Sequence, residues 1–192
     1  MKILAPLDID GWASRKHRAA ALDYAASVAR PGLWVEAGVA DGWSARYLLN
    51  RLPSDGMLHV FDSFHGLPDD WDERHPKGAF AVERVPLFDD SRVLCIAGMF
   101  EFSLPAYARA CPFTIDLLHV DCDLYASTMT VLRALGHRLR AGSFIAFDEA
   151  VGSPAAEANE GKALRDWLNE SGRVVTPVAK TEYTQLIVRV DA

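Results

Sequence analysis

Acidic side chains stand in this sequence where apolar stretches of strand length end. They are Glu36, Asp62, Asp121, Asp123, Asp148 and Glu149. The carboxyl ends of the strands in an open α/β sheet meet at one edge, so we expect these six carboxylates to lie near one another. Like charges this close repel, so the arrangement favours a bound cation or several hydrogen-bond donors.

Three of these acids form a candidate metal site. Asp121 ends one predicted strand, and Asp148 with Glu149 ends the next, which should be its neighbour in the sheet. Three hard oxygen ligands suit Mg²⁺ or Ca²⁺, and the sequence has no His and Cys spacing that would favour zinc. The alternative is that Asp121 and Asp148 only cap the loops or helices that follow them.

A glycine loop follows the first of these strands. Its spacing, Glu36-x-Gly38-x-x-x-Gly42, differs from that of dinucleotide sites and P-loops, and no lysine stands ready to hold phosphate. Glycines let the backbone approach a ligand closely. The carboxylate at the entrance would repel a pyrophosphate and suits a ligand that presents an ammonium group or hydroxyls, such as S-adenosylmethionine.

Asp62 comes about twenty residues after this loop, the position from which an acid reaches the ribose hydroxyls of a nucleoside in such folds. The alternative is that it caps a helix. The long irregular segment that follows, residues 63–86, contains Trp71, His65 and His75 and is a candidate substrate-facing segment, with a solvated surface loop as the alternative.

Composition limits the class of protein. With 192 residues, half of them hydrophobic, the chain is predicted to form a single domain. No apolar run is long enough for a transmembrane helix, and acids near the start argue against a signal peptide, so we expect a cytoplasmic protein with three free cysteines. A net charge of −6 without a basic stripe argues against nucleic acid as a partner and favours a small neutral or cationic acceptor.

Strand and helix patterns alternate along the chain. They predict a doubly wound, mostly parallel α/β sheet of seven strands that ends in an antiparallel hairpin. The predicted strands are residues 33–37, 57–61, 92–97, 115–120, 143–147, 174–179 and 183–190. The predicted helices are residues 10–29, 43–52, 105–111, 127–139 and 160–170.

Two of these elements have open roles. The first helix, within residues 10–30, either packs on the sheet or forms a lid over the ligand pocket. The last strand, residues 183–190, would offer an interface for a homo-oligomer if it lay at the edge of the sheet.

Several motifs resemble those of class I S-adenosylmethionine-dependent methyltransferases, and specifically the macrocin O-methyltransferase family of sugar O-methyltransferases. Between residues 33 and 150 they occur in the family's order. They are Val35-Glu-Ala-Gly-Val-Ala-Asp-Gly-Trp-Ser-Ala45, Val60-Phe-Asp-Ser-Phe-His-Gly-Leu-Pro68, Lys77-Gly-Ala-Phe-Ala81, Gly98-Met-Phe-Glu-Phe-Ser-Leu-Pro105, His119-Val-Asp-Cys-Asp-Leu-Tyr-Ala-Ser-Thr128 and Phe147-Asp-Glu149.

The resemblance implies roles for individual residues. Glu36, Gly38 and Gly42 would surround the methionine part of S-adenosylmethionine, and Asp62 would hold its ribose. The remaining members of the implied cofactor site are Ser44, Ser63, Met99 and Phe100, the last two beside the adenine, and Asp121. Asp121, Asp148 and Glu149 would bind Mg²⁺, which chelates hydroxyls of the acceptor; Glu149 stands where the family usually has a second aspartate.

Methyl transfer from a sulfonium is an in-line displacement, so the protein must align the acceptor hydroxyl and help to remove its proton. A divalent cation lowers the pKa of a bound hydroxyl, and a carboxylate then accepts the proton. Asp121, Asp123 and Asp148 are therefore the candidate catalytic residues. Asp123 or His119 is a possible base, although His119 lies in an apolar strand and would then more often be a hydrogen-bonded core residue.

Three rival functions remain open from the sequence. One is a metal-independent methyltransferase that acts on an amine or a more acidic hydroxyl. Another is a noncatalytic nucleoside-binding domain whose acids are only caps. A nicotinamide oxidoreductase is disfavoured because the chain lacks the Gly-x-Gly-x-x-Gly spacing.

Overall fold

The computed structural model describes residues 1–5 and 13–192. One sheet of eight strands runs through the protein. The strands are β1 (Lys2–Leu4), β2 (Leu33–Ala37), β3 (Met57–Asp62), β4 (Val93–Ala97), β5 (Ile115–Val120), β6 (Leu139–Phe147), β7 (Val175–Thr181) and β8 (Leu186–Val190). The helices are α1 (Ala13–Val28), α2 (Trp43–Leu49), α3 (Phe100–Ala110), α4 (Tyr125–Leu135), α5 (Pro154–Ala158) and α6 (Glu160–Ser171), with a 3₁₀ turn at Gly136–Arg138.

The strand order is β1-β7-β8-β6-β5-β2-β3-β4. Strands β2 to β6 pair in parallel, while β8 is antiparallel to both β6 and β7. The predicted mostly parallel α/β sheet with a C-terminal antiparallel hairpin is therefore confirmed. The first crossovers build the sheet outward from β2 to β4, and the chain then returns to place β5 on the other side of β2. This reversal opens a crevice between the carboxyl ends of β2 and β5, where ligands bind in such sheets.

Two features of the sheet differ from the sequence prediction. Strand β1, which pairs in parallel with β7, was not predicted, because three residues are too short to show a strand period. Strand β8 is hydrogen-bonded on both sides, so the predicted interface at an exposed last strand is wrong. Insertion of β8 between β6 and β7 covers its hydrogen-bonding groups on both edges.

Both faces of the sheet are covered by apolar clusters. Trp34 points into the cluster under α1 and α2, whereas its neighbour Val35 points into the cluster under α3, α4 and α6. This alternation explains why the residues of β2 and β5 are almost all apolar. The three cysteines are free thiols, as predicted, with Cys95 only partly buried. Within the described parts of the chain, no helix is long and apolar enough to cross a membrane.

Candidate active site

A cavity of about 1230 Å³ lies over the carboxyl ends of the central strands. Pockets for a single small ligand usually measure about 300–1,000 Å³, so this one has room for two ligands side by side. Nine of the predicted site residues line it: Gly38, Ser44, Asp62, Ser63, Met99, Phe100, Asp121, Asp123 and Glu149. The cavity does not reach Glu36, Gly42 or Asp148.

The glycine loop joins β2 to α2 at the centre of this cavity. Gly38 has a φ of 91°, and a Cβ on it would lie 1.7 Å from the backbone oxygen of Asp121. Only glycine allows β2 and β5 to approach this closely above their last paired residues. Gly42, with a φ of 79°, is the residue before the first turn of α2, and it shapes the loop without touching the cavity.

Asp62 holds the glycine loop against the end of β3. Its Oδ2 accepts hydrogen bonds from the amides of Val39 and Ala40, at 2.7 and 2.9 Å, and its Oδ1 accepts one from Phe64 at 2.7 Å. An ionised carboxylate offers about four acceptor positions, so one remains on Oδ1. Asp62 therefore has a structural role that the sequence did not reveal, and its contact with a ribose stays a prediction.

Glu36 lies beneath the cavity and not on its surface. Its Oε1 lies 2.9 Å from His119 Nδ1, and both side chains are almost fully buried. Burial works against the charge of His119, but the hydrogen bond to Glu36 and its charge together raise the pKa of the imidazole above its usual value. His119 is thus a hydrogen-bonded core residue, which was the alternative to its role as a base.

The acids at the ends of β5 and β6 surround a cation that the sequence analysis did not identify, Arg18 of α1. Arg18 Nη1 lies 2.9 Å from Asp121 Oδ2, and its Nε and Nη2 donate to the two oxygens of Asp148 at 2.9 and 2.5 Å. Gln185 Nε2 donates to Asp148 Oδ1 as well, at 3.1 Å. A guanidinium therefore stands between the two carboxylates that were predicted to hold a metal ion.

Burial and mutual repulsion shift the titration of these acids. Burial, with the charge of Asp148 adding to it and Arg18 opposing it, raises the pKa of Asp121 to about 6. Burial and the charges of Asp148 and Asp121 raise the pKa of Glu149 to about 8. Burial and the neighbouring Asp121 raise the pKa of Asp123 well above its usual value. Such shifted carboxyl groups in a cavity are typical of functional sites.

Glu160, the first residue of α6, connects the two acidic loops. Its Oε1 accepts a hydrogen bond from the amide of Cys122 and its Oε2 one from the amide of Glu149, each at 2.9 Å. The side chain is fully buried, and burial raises the pKa of its carboxyl group well above the usual value. The sequence carried no signal for this role, because an acid in the first turn of a helix is ordinary.

The predicted metal site does not fit a cation in this arrangement. Both oxygens of Asp148 and one of Asp121 are engaged by Arg18, which leaves Glu149 as the one predicted ligand that does not contact it. Over residues 1–5 and 13–192, no group of three or more Asp, Glu, His or Cys side chains is arranged to hold a metal ion. Two of the three residues that would have to bind Mg²⁺, Asp121 and Asp148, instead form ion pairs with Arg18.

The segment between β3 and β4 forms one wall of the cavity. Trp71, His75 and Phe80 stack in a row, with ring centroids 5.0 and 5.3 Å apart, and all three line the cavity, whereas His65 does not. On another side the cavity is lined by Arg15 and Arg18 of α1. The start of the first helix, which was predicted at residue 10, lies outside the described residues.

This strand order, with a glycine loop after its central strand and an acid at the end of the next, defines the class I S-adenosylmethionine-dependent methyltransferase fold. A family model described as a methyltransferase domain matches residues 35–150, which is more than half of the chain. The chain belongs to this methyltransferase domain family.

The chain is also similar to individual proteins. It is 31% identical over 142 residues to 8-demethyl-8-(2,3-dimethoxy-alpha-L-rhamnosyl)-tetracenomycin-C 4'-O-methyltransferase of Streptomyces olivaceus. That match covers 62% of this chain and 53% of the relative, so the chain spans about half the length of the curated relative.

Solved structures share the fold at lower identity. The calicheamicin methyltransferase CalS11 has a TM-score of 0.69 at 22% identity, over 90% of this chain and 76% of CalS11. The O-methyltransferase NovP has a TM-score of 0.69 at 20% identity, over 92% of this chain and 80% of NovP. TomG of Streptomyces achromogenes, solved with S-adenosylmethionine, has a TM-score of 0.58 at 16% identity, over 96% and 83% of the two chains.

Proposed function

We propose that this protein is an S-adenosylmethionine-dependent O-methyltransferase that acts on a hydroxyl group of a sugar or another natural-product intermediate. The observation that carries the proposal is a large cavity that connects the glycine loop to a cavity-facing carboxylate, Asp123. The names of the relatives support the acceptor class, since the Streptomyces olivaceus protein is named for methylation of a rhamnosyl group.

The cofactor would occupy the half of the cavity over β2, β3 and β4. There the backbone of Gly38 can approach the methionine part, Asp62 has one free acceptor position for a ribose hydroxyl, and Met99 and Phe100 offer apolar surface to an adenine. Ser44 and Ser63 add hydroxyl groups to the same half. Glu36 and Gly42 act from outside the cavity, by supporting the loop.

The acceptor would occupy the other half, between the acidic loops and the Trp71 wall. S-adenosylmethionine, when bound, supplies an electrophilic methyl group on sulfur. Asp123 would accept the proton of the acceptor hydroxyl as the new O–C bond forms and the C–S bond breaks. Its raised pKa makes its ionised form a stronger base than an ordinary carboxylate.

The predicted assistance by Mg²⁺ does not follow from this arrangement, because Arg18 occupies the position between Asp121 and Asp148. The Arg18 contacts instead favour the second candidate, a methyl transfer that needs no metal. Asp121 and Asp148 then act through Arg18, and neither is the base. A sugar hydroxyl is the proposed acceptor for both the metal-assisted and the metal-independent methyl transfer.

Calorimetric titration of S-adenosylmethionine and S-adenosylhomocysteine, each with Mg²⁺ and with EDTA, tests the cofactor half. We expect micromolar binding of both molecules. A panel of free, nucleotide-linked and aglycone-linked deoxysugars, assayed by mass spectrometry for a methyl gain, tests the acceptor half. Asp123→Asn should retain cofactor binding and lose turnover by about 100- to 10,000-fold.

Each negative result points to a different conclusion. Failure of both ligands to bind would overturn the methyltransferase proposal. Binding without methylation of any acceptor would point to a noncatalytic nucleoside-binding domain. Methylation of an amine but not of a hydroxyl would replace O-methylation by N-methylation.

A further inference from the structure

We propose that Arg18 takes the place of a catalytic metal ion in this protein, and that its free N–H groups bind the acceptor hydroxyls directly. The statement about acceptor hydroxyls rests on the proposed function. The central statement, that Arg18 takes the place of a metal ion, does not. Three observations support the inference: the contacts of the Arg18 guanidinium, the further hydrogen bonds of its carboxylate partners, and the packing of α1.

The carboxylate partners of Arg18 do not occupy all of the N–H donors of its guanidinium. Arginine has five N–H donors, one on Nε and two on each Nη. Nε and one N–H of Nη2 donate to Asp148, and Nη1 forms an ion pair with Asp121, which leaves at least one N–H on Nη1 and one on Nη2. The side chain of Arg18 is 24% exposed and lines the cavity. Two donors thus remain for oxygen atoms of a ligand, as two neighbouring hydroxyls would present.

The partners of Arg18 are also held by other groups. Asp148 is 2% exposed, and its Oδ1 accepts a second hydrogen bond from Gln185. Gln185 is in turn oriented by Thr181, whose hydroxyl donates to Gln185 Oε1 at 2.7 Å. A metal ion would have to displace both Arg18 and Gln185 from the Asp148 carboxylate.

Charge opposes the coexistence of Arg18 and a divalent cation. A guanidinium is not deprotonated in proteins, and that of Arg18 lies in contact with both Asp121 and Asp148. Arg18 is therefore always charged, and a divalent cation between the same carboxylates would lie within a few ångström of it. Repulsion at that distance in a poorly solvated site is strong, and an expelled guanidinium would lose its buried partners.

The helix itself holds Arg18 in place. The residues that follow Arg18 in α1 are buried against the sheet: Ala19, Ala20, Ala21, Leu22 and Ala25. Small side chains along this face bring the helix backbone close to the strands. Arg18 therefore projects from a packed helix toward the ends of β5 and β6. A metal ion could take its place only if the Arg18 side chain moved away from both carboxylates.

The two cations would serve the reaction differently. A metal ion lowers the pKa of a coordinated hydroxyl strongly, whereas a guanidinium orients it with hydrogen bonds and a spread positive charge. Proton removal then depends on a carboxylate, and Asp123 is, with Glu149, one of two acids at the cavity surface beside this cluster that do not contact Arg18. The protein should accordingly work in the presence of a chelator.

The direct test is a titration of the protein with Mn²⁺ alone, in which electron paramagnetic resonance detects binding of the ion. The wild-type protein should bind no Mn²⁺ up to millimolar concentration. Arg18→Ala should bind it, because the substitution frees Asp121 and Asp148 beside Glu149. The matched control is Arg15→Ala, which removes the same charge one turn earlier on α1, where Arg15 pairs with exposed Asp41. This control should bind no Mn²⁺.

Turnover gives the second readout. EDTA should leave the wild-type rate unchanged, and Arg18→Ala should lower it by about 100-fold through loss of acceptor positioning. Added Mn²⁺ or Mg²⁺ should restore part of that loss. Stoichiometric binding of Mn²⁺ to the wild-type protein, or loss of its turnover in EDTA, would overturn the inference. The wild-type titration needs no variant, so it decides the question even if Arg18→Ala does not fold.

Failure of this inference and failure of the proposed function give different results. If the wild-type protein binds Mn²⁺ and S-adenosylmethionine, the methyltransferase proposal stands and Arg18 is displaced by the metal. If it binds neither, the proposed function fails and the role of Arg18 as a bridge between Asp121 and Asp148 remains only structural.

Discussion

Asp62 illustrates how one side chain beside the cavity holds the local fold of the site. Three backbone amides donate to it, from Val39, Ala40 and Phe64. Two of them belong to the glycine loop, so the carboxylate fixes the surface on which the cofactor would rest. The sequence offered a helix cap as the alternative to a ribose contact. Asp62 instead holds the loop after β2, and its ribose contact stays a prediction.

Gly38→Ala should abolish cofactor binding. A Cβ at this position would lie 1.7 Å from the backbone oxygen of Asp121, so the loop or the end of β5 must move, and the positive φ adds strain. We expect a loss of several kcal/mol in the free energy of unfolding and no measurable S-adenosylhomocysteine binding by calorimetry.

Gly172→Ala is the control for Gly38→Ala. Gly172 ends α6 with a φ of 68°, and a Cβ there would meet no atom within 4 Å. It tests the backbone strain alone, with an expected cost of about 1–2 kcal/mol and normal cofactor binding. Equal effects of the two substitutions would show that the contact with Asp121 is unimportant.

Among the elements, α6 and α1 contribute to the site from opposite faces of the sheet. Glu160 of α6 holds the loops that follow β5 and β6, whereas Arg18 of α1 neutralises the acids that these loops carry. Of the two roles predicted for the first helix, packing on the sheet is the one that the structure shows, and a lid over the pocket stays a prediction. The alanines of α1 pack while its arginines face the cavity.

Glu160→Gln should destabilise both acidic loops at once. The amide nitrogen of glutamine cannot accept a hydrogen bond, so either the Cys122 or the Glu149 N–H would be left buried without its partner. We expect a loss of about 1–3 kcal/mol in the free energy of unfolding, measured with urea, and a lower turnover. Glu157→Gln, on the neighbouring helix α5, changes an exposed acid in the same way and should have little effect. Indistinguishable results for these two variants would contradict the role of Glu160.

Element boundaries show how local hydrogen bonds override a sequence signal. Pro105 suggested a helix start, because proline is favoured in a first turn. The observed α3 begins at Phe100, where the amides of Phe102 and Ser103 both donate to the Met99 oxygen. Pro105 is accommodated inside the helix that this turn begins.

At the scale of the molecule, the stability of the fold should depend on pH through a contact between β3 and α3. His59 Nδ1 lies 2.6 Å from the Tyr107 hydroxyl, and burial lowers the pKa of His59 below its usual value. The folded protein thus keeps His59 neutral at a pH where the unfolded chain already binds a proton. Stability from this group is complete above the unfolded-state pKa, about 6.5, and decreases as the pH falls below it.

Urea unfolding of the wild-type protein and His59→Gln between pH 8 and pH 5 measures this contribution. The wild-type free energy of unfolding should decrease more steeply toward pH 5 than that of His59→Gln. His65→Gln, which removes an exposed histidine, should retain the wild-type slope. Parallel curves for the wild-type protein and His59→Gln would disprove the assignment.

The sequence by itself determined the central strands and the glycine loop, and the resemblance of its motifs to those of a known family indicated the methyltransferase class. These depend on local patterns: apolar runs such as residues 115–120, glycines at a set spacing, and acids directly after strands. Such signals lie within a few residues of the feature that they predict. For the same reason the sequence placed Asp121, Asp123 and Glu149 at one edge of the sheet, where the structure also has them.

Only the tertiary structure decided which charges meet in the site. Arg18 and Asp148 are 130 positions apart in the chain, and Cys122 and Glu160 are 38 apart. Neither pair has a local pattern, because each depends on how α1 and α6 pack across the sheet, and on which side chains that packing buries together. Buried charges require partners, so this packing placed a guanidinium where the sequence had predicted a metal ion.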